Sequence, residues 1–484
     1  MTDELQSAIV AYHGIAVASL GAKVRTKAAI RNLELIVNPR LELLSQVETL
    51  EAHELFGMLI RRTKAAFQGD DFDFIGWWDH QVKNFFRRSG FYSGAYKGEA
   101  LESKELVRAY LNAFKRREIE RTYPAPIEYV SFDTDKLEFA SFEIRRFSAA
   151  EIDSMFQNDI NRVFFERAVA DARLLDDHWL LRVVERIPVI DPLSTPLPGP
   201  EVMLQYTPFP AAFETVLQQL ALYDWRCWDL ELYSDDEPGK GWLQPKVPFV
   251  LVLDDDVLSI PRSIPDLSCL ETEPDTIHID GDEIDIDRPA RGMEMTAEDE
   301  ASFKEFMIGI GPLLETVRRN SSTWTFLELA LQFFVKAFLT EGPEQLLWHV
   351  TTLEALFGQK GSGVTKRLAG RIGAVLGRDG DEEDSVAKRF EDLYRFRCDL
   401  VHGNPPKSMF RRHLREAREL ARRTSLWFLH YANHFLGELA DGDLPTREEM
   451  LRALDLAIDG SARLNRLISR LPADFPKILE WTDS

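Results

Sequence analysis

The feature that most constrains the fold is the run of helix signals in the C-terminal part of the chain. From Thr296 onward, apolar residues recur three and four positions apart, which is the period of an amphipathic α-helix. The pattern predicts helices over residues 296–318, 322–340, 343–357, 364–377, 382–402 and 407–435, and two short helical stretches within 445–471. The chain from residue 296 to residue 471 is therefore expected to be helical without interruption by strands.

The preceding part of the chain mixes helix and strand signals. Residues 1–122 read as mostly helical. Alternating or short apolar runs at 127–132, 137–144, 249–253 and 277–286 predict strands, and Asp280-Gly281 inside the last of them is a hairpin signal. Ser148 and Glu151 have the spacing of a capping box, which predicts a helix start. The expected fold class is therefore α+β, mostly α.

Length and composition indicate a globular protein of several domains. The chain has 484 residues, 45% of them apolar and 29% charged, and domains of roughly 100–200 residues suggest about three. The changes of pattern divide the chain into a helical N-terminal region, a mixed acidic domain, a helical domain and a helical tail. The predicted segments are 1–122, 123–295, 296–440 and 441–484.

The charges are distributed unevenly. The net charge of −22 argues against non-specific coating of nucleic acid, because phosphates would repel most of the surface. Residues 229–300 hold 21 acidic and 5 basic residues, whereas residues 360–425 hold 16 basic and 10 acidic ones. A phosphate-bearing partner is therefore expected in the C-terminal region, and the acidic central region suggests a regulatory surface for a basic partner.

Cysteine usage and the absence of targeting signals indicate where the protein works. Cys227, Cys269 and Cys398 lie far apart, which excludes a disulfide framework and a CxxC-type zinc site. We find no signal-peptide pattern at the N-terminus and no run of about 18 apolar residues. We therefore expect a cytoplasmic protein with no membrane association and no metal or other cofactor.

Three charged residues fall on apolar stripes of predicted helices. They are Glu354, Arg371 and Arg397. A buried charge without a partner is costly, so each is expected to meet a partner or a ligand. For Glu354 and Arg371, an ion pair that fixes the helix register is favoured over direct chemistry.

Arg397 is distinguished by the residues on its C-terminal side. His402 comes five residues later, and Gly403 with Pro405 and Pro406 predicts that the helix ends there. A guanidinium grips phosphate oxygens, and an imidazole transfers protons near neutral pH. The end of the helix would let His402 reach the Arg397 side, so the pair suits a phosphodiester.

A second basic feature comes after the motif. Arg411, Arg415, Arg418 and Arg422 are spaced to form one stripe on the next helix, and we expect this stripe to position the phosphate-bearing partner. The equally weighted alternative is a solvated face whose arginines pair with Glu416 and Glu419.

The motif and its neighbours resemble a known family. Residues 393–403, with Leu393, Tyr394, Arg397 and Leu400-Val401-His402-Gly403, closely resemble the Apea-like branch of the HEPN superfamily. The stretches 353–357 (LEALF) and 366–371 (KRLAGR) also resemble that branch, and the resemblance covers roughly residues 320–435.

This resemblance implies a helical bundle that dimerises and brings two Arg-x4-His motifs into one cleft. It implies Arg397 and His402 as catalytic residues of a metal-independent ribonuclease in antiphage defence or a toxin–antitoxin system, with RNA as substrate. Many active members carry a polar residue where this chain has Cys398, whose thiol forms weak hydrogen bonds. Glu354, Arg371, Cys398 and Asn404 are expected to be supporting or structural. The alternative is a non-catalytic HEPN module that binds RNA or a nucleotide, or that only dimerises.

Overall fold

The fold is seen in a computed structural model. It describes residues 2–27, 39–67, 77–189, 201–203, 209–225, 245–279, 282–289, 292–319, 321–359, 363–377, 380–404, 410–438 and 446–458.

The N-terminal part of the chain is helical. Its helices are α1 (Thr2–Lys27), α2 (Pro39–Glu51), α3 (Glu54–Phe67), α4 (Trp77–Arg88), α5 (Phe91–Lys97) and α6 (Ser103–Lys115). They enclose a core rich in aromatic rings, and its centre is formed by the fully buried Tyr12, Phe56, Phe86 and Tyr110. The hydroxyls of Tyr12 and Tyr92 lie 2.7 Å apart and satisfy each other inside this core.

The middle of the chain alternates strands with short helices. In chain order the elements are β1 (Glu118–Ile127), β2 (Val130–Phe132), β3 (Lys136–Glu138), β4 (Phe142–Arg146), α7 (Ala149–Met155), α8 (Asn158–Phe164), α9 (Ala172–Leu175), β5 (Trp179–Pro188), β6 (Glu201–Met203), α10 (Ala211–Leu222), β7 (Phe249–Leu251), β8 (Leu253–Asp254), β9 (Thr272–Ile279), β10 (Asp282–Pro289) and β11 (Met293–Met295).

These strands form one larger sheet and three pairs. The five-stranded sheet has the order β3-β4-β5-β1-β8. The pair β9–β10 is the antiparallel hairpin predicted from the sequence, with Ile279 opposite Asp282, although its turn lies outside the described residues. The predicted capping box is confirmed, because Ser148 and Glu151 exchange hydrogen bonds at the start of α7.

The C-terminal part is helical, as the sequence pattern predicts. Its helices are α11 (Ala297–Arg319), α12 (Ser321–Phe338), α13 (Gly342–Phe357), α14 (Val364–Leu376), α15 (Gly380–Val401), α16 (Phe410–Glu438) and α17 (Arg447–Ile458). The first six match the predicted helices closely. The second half of the predicted tail lies outside the described residues.

Two compact units make up the chain, and each consists of three separated segments. The first unit contains Met1–Pro126, Ile144–Val202 and Phe249–Pro289. The second contains Ile127–Glu143, Met203–Pro248 and Ala290–Ser484. The units therefore alternate along the sequence, whereas the sequence pattern predicted consecutive segments. The fold class is α+β and mostly α.

The apolar stripes of the C-terminal helices supply the core of the second unit. Helices α12 and α13 pack along each other, and α16 packs against α13. Fully buried residues from these helices and from α15 include Leu353, Phe357, Phe390 and Phe428. This core holds α13 and α15 in the positions that bring Glu354 and Arg397 together.

Candidate functional site

Arg397 lies at the edge of the core on the last two turns of α15. Val386, Phe390 and Leu393 of the same predicted stripe are buried, but the side chain of Arg397 keeps 26% of its surface exposed. The apolar stripe thus fixes the helix, and the guanidinium stands where the core meets solvent.

The guanidinium of Arg397 has two neighbours. Its Nη2 lies 3.5 Å from Oε2 of Glu354 on α13, whose side chain is 27% exposed. Its carbon Cζ lies 5.6 Å from the centre of the Tyr394 ring, one turn earlier on the same helix. Because an aromatic ring and a carboxylate both hold the cation, the side chain is oriented before any ligand arrives.

Tyr394 closes a three-residue cluster. Its hydroxyl donates a 2.9 Å hydrogen bond to Oε1 of Glu354. Burial, followed by this hydrogen bond and the negative charge of Glu354, raises the pKa of Tyr394 to about 12, although Arg397 acts in the opposite direction. The phenol is therefore protonated at neutral pH and acts as a donor. Both oxygens of Glu354 are thereby engaged, one by Tyr394 and the other by Arg397.

The end of α15 has a defined capping structure. Gly403 adopts a left-handed backbone with φ 74°. Its N–H donates to the carbonyl of Leu400 at 3.1 Å, and the N–H of Asn404 donates to the carbonyl of Asp399 at 2.8 Å. This pair of bonds is the Schellman motif, which favours glycine at the left-handed position. Asn404 contributes its backbone there, and its side chain is exposed.

His402 remains on the helical path. Its N–H donates to the carbonyl of Cys398 at 3.0 Å, four residues back, and its side chain is exposed. Five helical residues turn by about 140° beyond a full turn and rise by about 7.5 Å. The helix end therefore does not bring His402 round to the Arg397 side, because the left-handed step comes one residue later. The expectation that it would do so is wrong.

No direct contact joins the two predicted catalytic residues within one chain. Among the described residues, neither a hydrogen bond nor an ion pair links Arg397 to His402. Cys398 is a half-buried free thiol beside Arg397 in the sequence. The structure thus brings together Arg397, Glu354 and Tyr394, and it leaves His402 in solvent at the helix end.

Arg371 has a different partner from the one expected. It is 1% exposed, and its Nε and Nη2 donate 2.7 Å hydrogen bonds to the two carboxylate oxygens of Asp455 on α17. It also donates to the carbonyl of Phe357 at 2.6 Å and to Oε1 of Gln359 at 2.8 Å. The predicted Glu354–Arg371 ion pair is therefore wrong, because a carboxylate 84 residues later in the chain takes both donors.

The predicted RNA-binding stripe on α16 does not form one exposed face. Arg418 and Arg422 are 2% and 7% exposed. Arg422 lies 3.1 Å from Glu419 and 3.3 Å from Asp224, and Arg418 donates to the carbonyl of Tyr223 at 3.1 Å. This half of the stripe points into the unit, so it does not offer the accessible surface that was predicted. Arg415 is exposed, and the side chain of Arg411 lies outside the described residues.

Sequence reasoning named Tyr394 only as part of the motif and did not single out Asp455 or Arg447, although all three residues shape this region. Tyr394 stands three residues before Arg397, so its place on the same helix face was available as a signal. Asp455 and Arg447 lie on α17, and nothing in their local sequence indicates that they reach the C-terminus of α13. Arg447 donates through Nη2 to the carbonyls of Ala355 and Gly358 at 2.8 and 2.6 Å.

Comparison of the chain with models of known protein families, with curated proteins and with solved structures gives no match. Over the described ranges, no helix combines the length and the apolar character that crossing a membrane requires. Over the same ranges, no three or more His, Cys, Asp or Glu side chains are grouped closely enough to hold a metal ion.

Proposed function

We propose that the chain is a metal-independent ribonuclease of the HEPN type that works as a homodimer in antiphage defence or a toxin–antitoxin system. The observation that carries the proposal is the end of α15. Arg397 presents an oriented, partly exposed guanidinium, and His402 presents a solvent-exposed imidazole five residues later, which is about 7.5 Å of helix rise. These are the groups that phosphodiester cleavage needs for charge stabilisation and proton transfer.

The proposed reaction uses the RNA's own 2′-hydroxyl as nucleophile. His402 of one copy takes the proton from this hydroxyl as its oxygen attacks the adjacent phosphorus. The bond from phosphorus to the 5′-oxygen breaks, and His402 of a second copy gives a proton to that oxygen. Arg397 stabilises the negative charge that develops on the phosphate. The products are a 2′,3′-cyclic phosphate and a 5′-hydroxyl.

A second copy is part of the proposal for a geometric reason. Within one chain, Arg397 and His402 leave α15 about 140° apart, and one imidazole cannot serve both proton transfers at once. Two α15 ends in a common cleft would supply two guanidinium and two imidazole groups to one phosphate. Static light scattering on the purified full chain is expected to give the mass of a dimer. A strict monomer, with and without RNA, would contradict the composite site.

The central experiment is cleavage of a labelled RNA by the purified chain in EDTA. We expect His402→Ala to lower the rate by about 10²–10⁴-fold, the usual cost of losing a positioned acid–base group. The variant should fold normally, because His402 is exposed. His80→Ala, at another exposed histidine, is the matched control and should cleave at the wild-type rate. If His402→Ala is folded and cleaves as fast as wild type, the proposal is wrong.

A non-catalytic HEPN module that binds RNA or a nucleotide is the second candidate. The ion pair between Arg397 and Glu354 favours it, because a paired guanidinium can serve structure alone. Wild-type protein that binds RNA without cleaving it in EDTA would support this candidate over the first.

A further inference from the structure

A cavity of about 500 Å³ lies beside Glu354 in the second unit. It is open to solvent on one side and is bordered by residues of α13, α14 and α17 and of the segment after α13. Its lining residues are Glu354, Gly358, Gln359, Val364, Leu368, Arg447, Glu448 and Leu451. Sites for small molecules usually measure about 300–1,000 Å³, so the cavity is large enough for a nucleotide.

One part of the cavity wall is apolar. Val364 and Leu368 lie four residues apart on α14, and Leu451 lines the cavity from α17. Leu368 and Leu451 are buried, whereas Val364 is half-buried at the start of its helix. Aliphatic side chains such as these cover the flat faces of an aromatic ligand, and two fused rings gain more from this contact than one.

The polar groups of the wall are fixed before a ligand binds. Oε1 of Gln359 accepts a hydrogen bond from Arg371, which leaves its amide NH₂ as the group to offer a ligand. Nη2 of Arg447 is held by the carbonyls of Ala355 and Gly358. The Nε of Arg447 is buried and has no acceptor among the described residues. Burial, and then the nearby Arg371, lower the pKa of Arg447, as expected for a cation in need of an acceptor.

The cavity also contains an acceptor. Glu448 lies at its rim, and its carboxylate has no hydrogen-bond or ion-pair partner among the described residues. The wall therefore offers the amide donor of Gln359, the positive charge of Arg447 and an acceptor from Glu448. Purine bases carry ring nitrogens that accept and amino or imino groups that donate, so their edges match this set.

The cavity shares a side chain with the proposed catalytic cluster. Glu354 lines the cavity, and the same carboxylate lies 3.5 Å from Arg397. Only the side chain of Glu354 would therefore separate a base in the cavity from Arg397, the residue proposed to bind the phosphate.

We propose that this cavity binds a purine base, either of the RNA substrate or of a free mononucleotide. If the base belongs to the RNA substrate, the inference rests on the proposed function, and the cavity determines which RNA sequence is cleaved. The free-nucleotide form stands without RNA cleavage and makes the cavity a regulatory site.

The test is calorimetric titration of the full chain with GMP, AMP, CMP and UMP. At least one purine nucleotide is expected to bind about tenfold or more tightly than both pyrimidine nucleotides, since a lost ring contact or hydrogen bond costs roughly that factor. Val364→Trp fills the cavity from the first turn of α14 and should abolish binding. Glu448→Gln replaces a carboxylate at the rim, which should not disturb folding, and should weaken purine binding about tenfold.

Glu305→Gln is the matched control, because Glu305 lies on α11 and does not line the cavity; it should bind as wild type does. Competition against bound purine nucleotide by purine-rich and pyrimidine-rich single-stranded RNA, with the His402→Ala protein, distinguishes the two sources of the base. If purine-rich RNA displaces the bound nucleotide, the cavity binds a base of the RNA. If it does not, the cavity binds a free nucleotide.

Two results would overturn the inference. One is no saturable binding of any mononucleotide at millimolar concentration. The other is binding that Glu448→Gln and Val364→Trp both leave unchanged in folded protein. Either would leave the ribonuclease proposal untouched, because that proposal is decided by cleavage with His402→Ala. Conversely, if the chain binds purine nucleotides but never cleaves RNA, the ribonuclease proposal is wrong and the proposal of a purine site in the cavity stands.

Discussion

Ionic side chains of the second unit lie in two contrasting settings. At the end of α15, Arg397 is about one-quarter exposed, and His402 is in solvent. Inside the unit, α16 carries a buried cluster formed by Arg418, Glu419 and Arg422 with His349, and the half-buried Asp224 lies at the edge of this cluster. Both settings contain arginine and histidine, but they differ in whether water can reach them.

The difference separates structural charges from those free for chemistry. Burial penalises the charge of Arg422, but the nearby carboxylates, chiefly Glu419 and then Asp224, outweigh it and raise the pKa of Arg422. Such a cation is committed to its partners, because no ligand can replace them without exposing the core. Arg397 has a single carboxylate at 3.5 Å and retains access to solvent. A ligand phosphate can therefore compete for it.

The largest expected effect is on the buried cluster. Arg422→Ala removes the 3.1 Å partner of Glu419 and the 3.3 Å partner of Asp224 from a water-poor site, and we expect a loss of about 3–5 kcal/mol in the free energy of unfolding. Arg422→Met should lose less, because it keeps the packing. Denaturant titration of the full chain measures both. A loss below about 1 kcal/mol for Arg422→Ala would show that the cluster is not a tightly coupled core element.

His349 gives the buried cluster a pH dependence. Burial, and then Arg418, lower the pKa of His349 well below its ordinary value, with Glu419 opposing. Its two ring nitrogens have no hydrogen-bond partner among the described residues. Below about pH 6.5 the unfolded chain takes up a proton that the folded chain does not, so stability falls as the pH falls, by up to about 1.4 kcal/mol per unit.

The check is the slope of unfolding free energy against pH from about 7 to about 5. His349→Leu removes the titrating group. The slope of its unfolding free energy against pH should be shallower than that of wild type by about 1.4 kcal/mol per pH unit, which corresponds to one proton. The absolute stability of the variant does not enter the comparison. Equal slopes would mean that His349 takes up its proton in the folded state as readily as in the unfolded one.

At the other setting, the helix end depends on Gly403. Its φ of 74° is unfavourable for a residue with a Cβ, so Gly403→Ala should cost about 1 kcal/mol. Gly309→Ala is the matched control inside α11, where no atom lies within 4 Å of an added Cβ. That substitution should stabilise by roughly 0.5–1 kcal/mol. Thermal unfolding of the two variants should therefore shift in opposite directions.

The smallest expected effect on stability is that of a substitution at Arg415, which contrasts with the effect at Arg422 on the same helix, α16. Arg415 lies seven residues before Arg422 on the predicted stripe, but it is exposed. Arg415→Ala should change the free energy of unfolding by less than about 0.5 kcal/mol. The same denaturant titration measures it. A loss comparable to that of Arg422→Ala would remove the distinction between the two halves of the stripe.

The sequence predicted the elements of the second unit well and the strands of the first less well. Apolar spacing is a local property, so the helices from α11 to α16 could be located from it. Strand β1 runs to Ile127 through Pro124 and Pro126, which read as breakers. On the β8 side the pairing involves only Arg121 and Thr122, so the two prolines interrupt no ladder hydrogen bond there.

The site was predictable to the extent that its members are close in sequence. Arg397, Tyr394 and His402 share one helix, and Glu354 falls on the apolar stripe of another. The partner of Arg371 was not predictable, because Asp455 lies on a separate helix and many carboxylates compete for the role. Spacing alone also could not tell that Arg418 and Arg422 face inward, since a charged stripe usually faces solvent.

The alternation of the two units along the chain has a consequence for how the protein is made. The first unit lacks a segment until Phe249–Pro289 has been synthesised, and the second waits for residues beyond Ala290. Contacts between such distant segments close long loops, which slows folding. The two earlier segments of the second unit, Ile127–Glu143 and Met203–Pro248, therefore cannot complete that unit until the residues after Ala290 have been synthesised. Chaperone dependence during translation is the expected cost of this topology.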